Sequence, residues 1–491
     1  MAGERLIVGP FNRVEGDLEV RLDVRDGQVR SAEVVAPMYR GFEQMLVGRP
    51  ALDALVVVPR ICGICSVSQS VAAAQALADA AGVRPPANGQ HALNLMLATE
   101  IVADHLTHFY LFFMPDFCRP AYAPQPWFDE AQRRFAAGAG EHQRQAIAAR
   151  QRWFMLMGLL GGKWPHTHSV TPGGSSRAID SAERLRLLAL VRELRGVLER
   201  QLLGDRLENV IALDSEAALQ AWVAAAPDRG DLRFFLRLAA DLSLDRLGRG
   251  PGLYLSHGAY VLPEGDTRPH ALARGVWDEA LGELLSLDPA DVREDASHAW
   301  LNPAGDAPRH PREGLTQPAA DKPGAYSWNK APRLRGRVLE TGAIARQLAD
   351  AHPLVRDVVA REGGTVRSRV IARVLELARL LPLMEGWLQA LQPGEPFHVA
   401  YELPEQAEGC GLAEAARGAL GHWLRVERGR LGHYQIVAPT SWNFSPRDAH
   451  GRPGALEAAL VGAPVTPGER TPVAVQHIVR SFDPCMVCTV H

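Results

Sequence analysis

Between Leu6 and Val35 apolar and polar residues alternate, with Leu18, Val20, Leu22 and Val24 in phase and Asp26-Gly27 between two runs. Period two sends successive side chains to opposite faces of a strand, and Asp-Gly is a tight hairpin turn, so the pattern predicts an antiparallel meander over 1–35. The period then lengthens. Pro85-Pro86 is followed by Asn88, which can cap a helix, and by Leu93, Leu97 and Ile101, a pattern that continues to Phe113 before Pro115 and predicts a helix over 88–113. Ser181 precedes Leu187, Val191, Leu194 and Leu198, which predicts a second helix over 181–204. Val366, Val370, Val374, Leu377 and Leu381 follow Gly363-Gly364; this third helix, over 365–381, should end or kink at Pro382. Long buried helices therefore dominate the middle of a mainly α protein with peripheral α+β elements.

Prolines 303, 308, 311, 318 and 323 leave no period between Asn302 and Pro323, which reads as an extended surface loop. The tail from 434 to 491 returns to short apolar runs, with Tyr434 to Ala438 as a buried strand. The sequence holds no internal repeat and no low-complexity block. Its 491 residues could form about three domains of ~150 residues or one large helical one, and the single unit is the expectation.

Charge narrows the partners. The net charge of −3 offers no broad basic field, so nucleic acid and anionic lipid are poor partners. No apolar run reaches the ~18 residues of a membrane span, and Met1-Ala2-Gly3-Glu4-Arg5 lacks a cleavable leader pattern, so the cytoplasm is the expected compartment.

Six cysteines in a chain this long are no disulfide framework. Cys62 and Cys65 form one Cys-x-x-Cys pair and Cys485 and Cys488 another, whereas Cys118 and Cys410 stand alone as small buried residues. Two such pairs can aim four sulfurs at one soft or borderline ion. A structural zinc site and a dithiol redox centre are both open on spacing alone. Zinc usually staples short segments, however, and Cys65 and Cys485 are 420 positions apart; a redox dithiol leaves the second pair unexplained.

The surroundings are more specific. Arg60-Ile61-Cys62-Gly63-Ile64-Cys65 and Asp483-Pro484-Cys485-Met486-Val487-Cys488-Thr489-Val490-His491 resemble the two signatures of the large, catalytic subunit of nickel–iron hydrogenases. The resemblance extends through Arg13-Val14-Glu15-Gly16, Tyr39-Arg40-Gly41-Phe42-Glu43, Asp104-His105, Pro172-Gly173-Gly174, Lys330-Ala331-Pro332-Arg333, Arg417-Gly418-Ala419-Leu420-Gly421-His422 and Ala438-Pro439-Thr440-Ser441-Trp442-Asn443. It implies the long-helix core of that family in a single 1–491 domain, with 434–491 as the C-terminal metal-site segment.

By the same resemblance Cys62, Cys65, Cys485 and Cys488 ligate nickel, and Cys65 and Cys488 bridge to an iron carrying carbon monoxide and cyanide. Cys485 would take the proton from split hydrogen and Glu15 would relay it. Arg417 would hang over the open metal position, held by Asp104 and Asp483; the residue before it is proline in the family and Ala416 here. Thr440, with Pro439 beside it on the cofactor, would bind a cyanide. Glu43, the carbonyl of Ile436 and His491 would hold magnesium. Family precursors often carry a tail cut after this histidine, and the chain reads as either the trimmed product or one that never had the tail. His105, His108, His166 and His168 read as structural.

Four cysteines on nickel leave too few for iron–sulfur clusters, so electrons from hydrogen must leave through a partner. The family supplies an iron–sulfur small subunit, giving a heterodimer or a dimer of heterodimers. Gln69 stands where the family usually has histidine, and Ile64 and Phe112 stand where gas-path residues are usually the smaller Val and Leu. These departures resemble the regulatory, oxygen-tolerant branch, which senses hydrogen, signals to a histidine kinase and turns over slowly. An energy-conserving uptake enzyme is the alternative.

Overall fold

The structure, a computed structural model, describes residues 4–263, 269–302, 307–489 and 491. β1 (Glu4–Val8), β2 (Glu19–Arg25) and β3 (Gln28–Val35) form an antiparallel sheet in that order. Asp26 and Gly27 turn the β2–β3 hairpin, both at positive φ (53° and 69°). The alternation is not continuous: between β1 and β2 the chain leaves the sheet as a loop that carries Asn12 to Gly16.

α1 (Ser66–Ala81) and α2 (Ala87–Thr107) follow. Every residue of α2 from Asn88 onward is buried, so this helix has no solvent face and serves as a central post. It passes into a wider π-helical turn at His108–Phe113. Asn88 does not cap α2. Pro86 holds the capping position, and the Asn88 amide, already inside the first turn, instead ties the strap at Gln392 through Gln392 N (2.9 Å) and Gln392 O (2.8 Å). α3 (Ser181–Val197) also ends in a π turn, Leu198–Leu203; its cap is Asp180, one residue before Ser181, in a reciprocal box with Glu183.

β4 (Leu253–Val261) and β5 (His270–Asp278) pair antiparallel, α4 (Ala343–Ala349) packs against them, and α5 (Val366–Ala390) crosses α2. Pro382 lies inside α5 and does not end it. The lost backbone bond is outweighed by burial on both sides of the proline, from Leu380 and Leu381 through Met384, Trp387 and Leu388. β6 (Gln406–Ala415), β7 (Gly418–Glu427) and β8 (Arg430–Val437) form an antiparallel sheet in order. Of these only the end of β8 is visible as an apolar run in the sequence.

Of the Pro-rich stretch, residues 303–306, with Pro303, lie outside the described residues; 307–323 has no helix or strand and is broken by short turns. It is not wholly a surface loop. Asn302 N donates to Gln317 O (2.8 Å), and Thr316 is buried against Glu43. Cys118 and Cys410 are half-buried rather than buried: Cys118 ends the 3-10 turn Met114–Cys118, and Cys410, in the middle of β6, lines a cavity with Arg312 and Trp423.

β6 lies on α1 with backbone against backbone. A Cβ on Gly411 would sit 2.0 Å from Ala72 O, and one on Gly409 1.9 Å from Ala76 O; Ala72, Ala73, Ala74 and Ala76 keep the helix side equally thin. The contact locks the helix that begins after Cys65 to the strand that leads to Arg417. Gly411→Ala should therefore cost at least ~3 kcal/mol, at or above the usual range for overpacking. Gly386→Ala, inside α5 with open space around its Cα, should be neutral or stabilise by up to ~1 kcal/mol. Unfolding midpoints check the pair; an unchanged midpoint for Gly411→Ala would contradict the close approach.

Candidate metal centre

Two short segments from opposite ends of the chain carry the cysteines. Cys62 follows the 3-10 turn Val58–Arg60, and Cys65 occupies the capping position of α1, donating its N–H toward Cys62 Sγ (3.5 Å). Cys485 precedes the single helical turn Met486–Thr489, which presents Cys488 on the same side. The sulfurs of Cys62 and Cys485 are 3.4 Å apart, Cys65 and Cys488 3.1 Å, and Cys485 and Cys488 2.9 Å. All four lie within 4.8 Å of one another, buried, and far beyond the ~2.05 Å of a disulfide.

This donor set fits a soft cation. The neighbouring thiols hold Cys62 well below the ordinary thiol pKa, while the Cys485 and Cys488 thiols, with burial, hold Cys65 well above it. Ionising one sulfur thus opposes ionising the next, and only a bound cation would let all four become thiolates.

The N-terminal loop is laid alongside the second pair. Met486 N donates to Glu15 O (2.7 Å) and Glu15 N to Pro484 O (3.4 Å), a parallel bridge between Glu15 and Cys485. Burial and the Cys62 charge raise the Glu15 pKa, with Arg417 and Arg40 opposing. Arg40 itself reaches Ile61 O (2.6 Å) and Val487 O, joining both cysteine segments.

Arg417 sits in the turn between β6 and β7, fully buried. Its Nε donates to Asp483 O (3.1 Å), Nη2 to Asp483 Oδ1 (3.2 Å) and Nη1 to Asp104 Oδ2 (3.3 Å). The carboxylates are unequal. Burial raises Asp104 well above its usual range despite Arg417, whereas Asp483, with burial opposing, is held low by Arg417 and its histidine and arginine neighbours. Asp104 Oδ1 and Asp483 Oδ2 are buried and have no hydrogen-bond partner among the described residues.

With Ala416 in place of proline, other residues hold the turn. Arg346, fully buried on α4, donates to Ala415 O (2.8 Å) and Ala416 O (3.0 Å) and pairs with Glu376 (2.6 Å) and Glu414 (2.7 Å). His105 Nε2 lies 3.0 Å from the same Glu376. Gly418, at φ 127°, lets the strand pass Thr341, whose Oγ1 a Cβ would meet at 2.3 Å. Arg346 and Glu376 escaped the sequence reading; two charges buried on apolar helices were the available signal.

Glu43, Ile436 and His491 also meet. His491 Nε2 is 2.8 Å from Ile436 O and 3.3 Å from Glu43 Oε1, close to the ~3.0 Å between neighbouring ligands of an octahedral ion with bonds near 2.1 Å. Beside them lies a cavity of about 10 Å³ lined by Thr316, Lys330 and Asn329, roomy enough for one water. Burial opposes it, but Lys330 and His491 lower the Glu43 pKa to about 2. Thr440 Oγ1 accepts from Cys485 N (3.1 Å), in the short helix Pro439–Asn443 that Pro439 opens.

Gln69 is buried one turn into α1, its Oε1 2.9 Å from His422 Nε2, and His422 Nδ1 meets Tyr434 OH (2.7 Å). Ile64 and Phe112 are both half-buried; Arg13 holds the carbonyl of Phe112 (3.1 Å). Of the histidines read as structural, His108 Nε2 meets Arg480 O (2.7 Å) and His166 Nδ1 meets Pro59 O (3.1 Å).

With this geometry in place, comparison with known proteins assigns the class. The family model for nickel-dependent hydrogenases matches residues 40–126 and 135–491, and the chain belongs to that family. Among relatives, it is 30% identical to the large subunit of the periplasmic [NiFeSe] hydrogenase of Desulfomicrobium baculatum, over 99% of this chain and 95% of that one. It is 28% identical to the uptake hydrogenase large subunit of Cupriavidus necator, over 100% and 95%. The Ni-Fe-Se hydrogenase from D. vulgaris Hildenborough in its reduced state superposes with a TM-score of 0.84 at 30% identity, covering all of both chains.

The Arg346 strut generates a pH prediction. Burial favours neutral Glu376, but Arg346 and His105 hold its pKa well below the ordinary range, so its contribution to stability is complete above about pH 4.5 and is lost as the pH falls below that. Glu376→Gln should cost ~3 to 5 kcal/mol at neutral pH, the usual cost of breaking a buried pair, and should flatten acid unfolding. Denaturation at pH 7 and pH 4 checks both parts; equal acid sensitivity would contradict the strut.

Proposed function

We propose that this chain is the large subunit of a nickel–iron hydrogenase that splits hydrogen heterolytically and serves as an oxygen-tolerant hydrogen sensor. The observation that carries the reading is the buried group of four thiols from opposite ends of the chain, with Glu15 bridged to Cys485. Cys62, Cys65, Cys485 and Cys488 would hold the nickel, Cys65 and Cys488 would also face the iron with its carbon monoxide and cyanide, and Glu43, Ile436 and His491 would hold magnesium. When bound, the centre supplies electron-rich metals that polarise hydrogen.

The chain's own residues handle the proton and the field. Cys485 Sγ takes the proton, and Glu15, whose raised pKa keeps it able to hold one, passes it outward. Arg417 faces the thiols with its guanidinium fixed by two carboxylates, which favours negative charge developing in front of it. Thr440 accepts from Cys485 N, which leaves its hydroxyl proton free to donate, and would use it to hold a cyanide on the iron.

Electrons leave through an iron–sulfur small subunit, because the remaining Cys118 and Cys410 are separate and half-buried. The sensor reading rests on Gln69, Ile64 and Phe112 and brings with it a histidine kinase partner, slow turnover and a cytoplasmic location. No helix among the described residues is long and apolar enough to cross a membrane. We take all 491 residues as one unit. The second reading, an energy-conserving uptake enzyme, is favoured by relatives named as uptake hydrogenases.

Glu15→Gln should lower hydrogen–deuteron exchange with solvent at least ~100-fold, within the range for losing a proton-transfer group, with metal content unchanged. Exchange within twofold of wild type would remove the relay. Ile64→Val with Phe112→Leu should cost ~1 kcal/mol or more and leave anaerobic activity intact, but should speed inactivation under a fixed oxygen concentration, because oxygen is the larger gas. Equal decay rates would remove the gas-path support for the sensor reading.

A further inference from the structure

α1 begins one residue after a thiol of the metal centre, and its capping position is therefore occupied by a residue that cannot cap. The Cys65 side chain faces the other sulfurs and makes no bond to the first-turn amides. A helix start leaves four N–H groups unpaired, and a nearby Ser, Thr, Asp or Asn normally takes one or two of them. Here the acceptor comes from another helix. Glu100 of α2 is fully buried; its Oε2 accepts from Val67 N (2.7 Å) and its Oε1 from Ser68 N (2.8 Å). Ser68 Oγ (2.8 Å), Ser66 Oγ (3.4 Å) and Trp164 Nε1 (3.2 Å) complete the shell. All five groups donate and none accepts, the environment of a carboxylate anion.

Glu100 is also one helical turn from Asp104, which pairs with Arg417. One stretch of α2 thus reaches both the start of α1 and the guanidinium. The N-terminal end of a helix carries roughly half a positive charge, and for the 16-residue α1 that end adjoins Cys65.

We propose that Glu100 is a positioning residue for the metal centre: it caps α1 from α2, fixes the direction of the Cys65 thiol, and cancels the positive end of the α1 dipole beside it. This rests on the nickel–iron reading above and adds to it a determinant of the electron density at the metals. Without the carboxylate the uncancelled dipole withdraws density, iron donates less into the carbon–oxygen antibonding orbital, and the carbon–oxygen stretch rises.

Glu100→Gln is the test, because it keeps the volume but removes the charge and turns an amide NH₂ onto N–H donors. Burial pushes the Glu100 pKa up to about 7 against these bonds, so the comparison is made at pH 8 on the full chain. Infrared bands of the iron-bound carbon monoxide should move to higher frequency in Glu100→Gln. They should stay in place in Trp164→Phe, which deletes one donor and leaves the carboxylate and its amide bonds. In metal-free protein, mass spectrometry should show Cys65 alkylated at least tenfold faster in Glu100→Gln than in wild type, with Cys62 little changed. Unchanged bands and unchanged Cys65 reactivity, with only a lower unfolding midpoint, would reduce Glu100 to an ordinary stabilising cap and overturn the proposal. A wild type without nickel and without diatomic bands would instead sink the nickel–iron reading, and the Cys65 alkylation comparison would still decide whether Glu100 sets that thiol.

Discussion

The site exists only because the two ends of the chain are held together, 423 positions apart at both the Cys62–Cys485 and the Cys65–Cys488 contact. The closure is ionic, and its central pair, Arg480 and Asp116, is buried. Arg480, near the end, grips Asp116 through 2.7 and 2.9 Å contacts and Asn12 through its carbonyl (2.9 Å) and amide oxygen (2.7 Å), while Arg13 joins the same Asp116. Burial opposes ionising Asp116, yet Arg480, His477 and Arg13 keep its pKa low, so the carboxylate stays charged between its partners. Bringing such distant segments together costs loop entropy, and a buried charge that cannot be left unpaired makes partial opening expensive. Glu15 and Cys485 are neighbours as a consequence.

α2 then distributes order from that junction. Glu100 and Asp104 on α2, and His108 at the start of the π turn that continues it, are spaced four residues apart, and α2 has no solvent face from Asn88 onward. They meet the start of α1, Arg417 and the carbonyl of Arg480 respectively. His105, the next residue round, reaches Glu376 and so the Arg346 strut beneath the Arg417 turn. The elements that carry Cys65, Arg417 and the C-terminal pair therefore take their positions from one helix, and polar residues on it are spent on that task rather than on solubility.

What the sequence disclosed follows the range of the forces involved. The β2–β3 hairpin and the starts of the three long helices are written locally, in period and turn residues, but the third helix runs on to Ala390, past its expected end at Leu381. Helix ends were less legible because they answer to distant partners: Asn88 left its cap for the 392–395 strap, and Pro382 stayed helical because its neighbours are buried. The β6–β7 sheet was missed since Gly409 and Gly411 break the strand pattern, and their reason is the α1 backbone, invisible from spacing. At the site, spacing alone left zinc, a dithiol and a catalytic centre open; motif resemblance named the residues, and neither identified Arg346, Glu376 or Glu100, charges on apolar helices whose partners lie on other elements.

The account stands on the claim that the four buried thiols form a nickel–iron centre rather than a staple. The most direct measurement is metal analysis of the purified protein together with its infrared spectrum. Nickel and iron in equal amounts, with bands from carbon monoxide and cyanide, are the predicted result. Stoichiometric zinc with an empty diatomic region would contradict it.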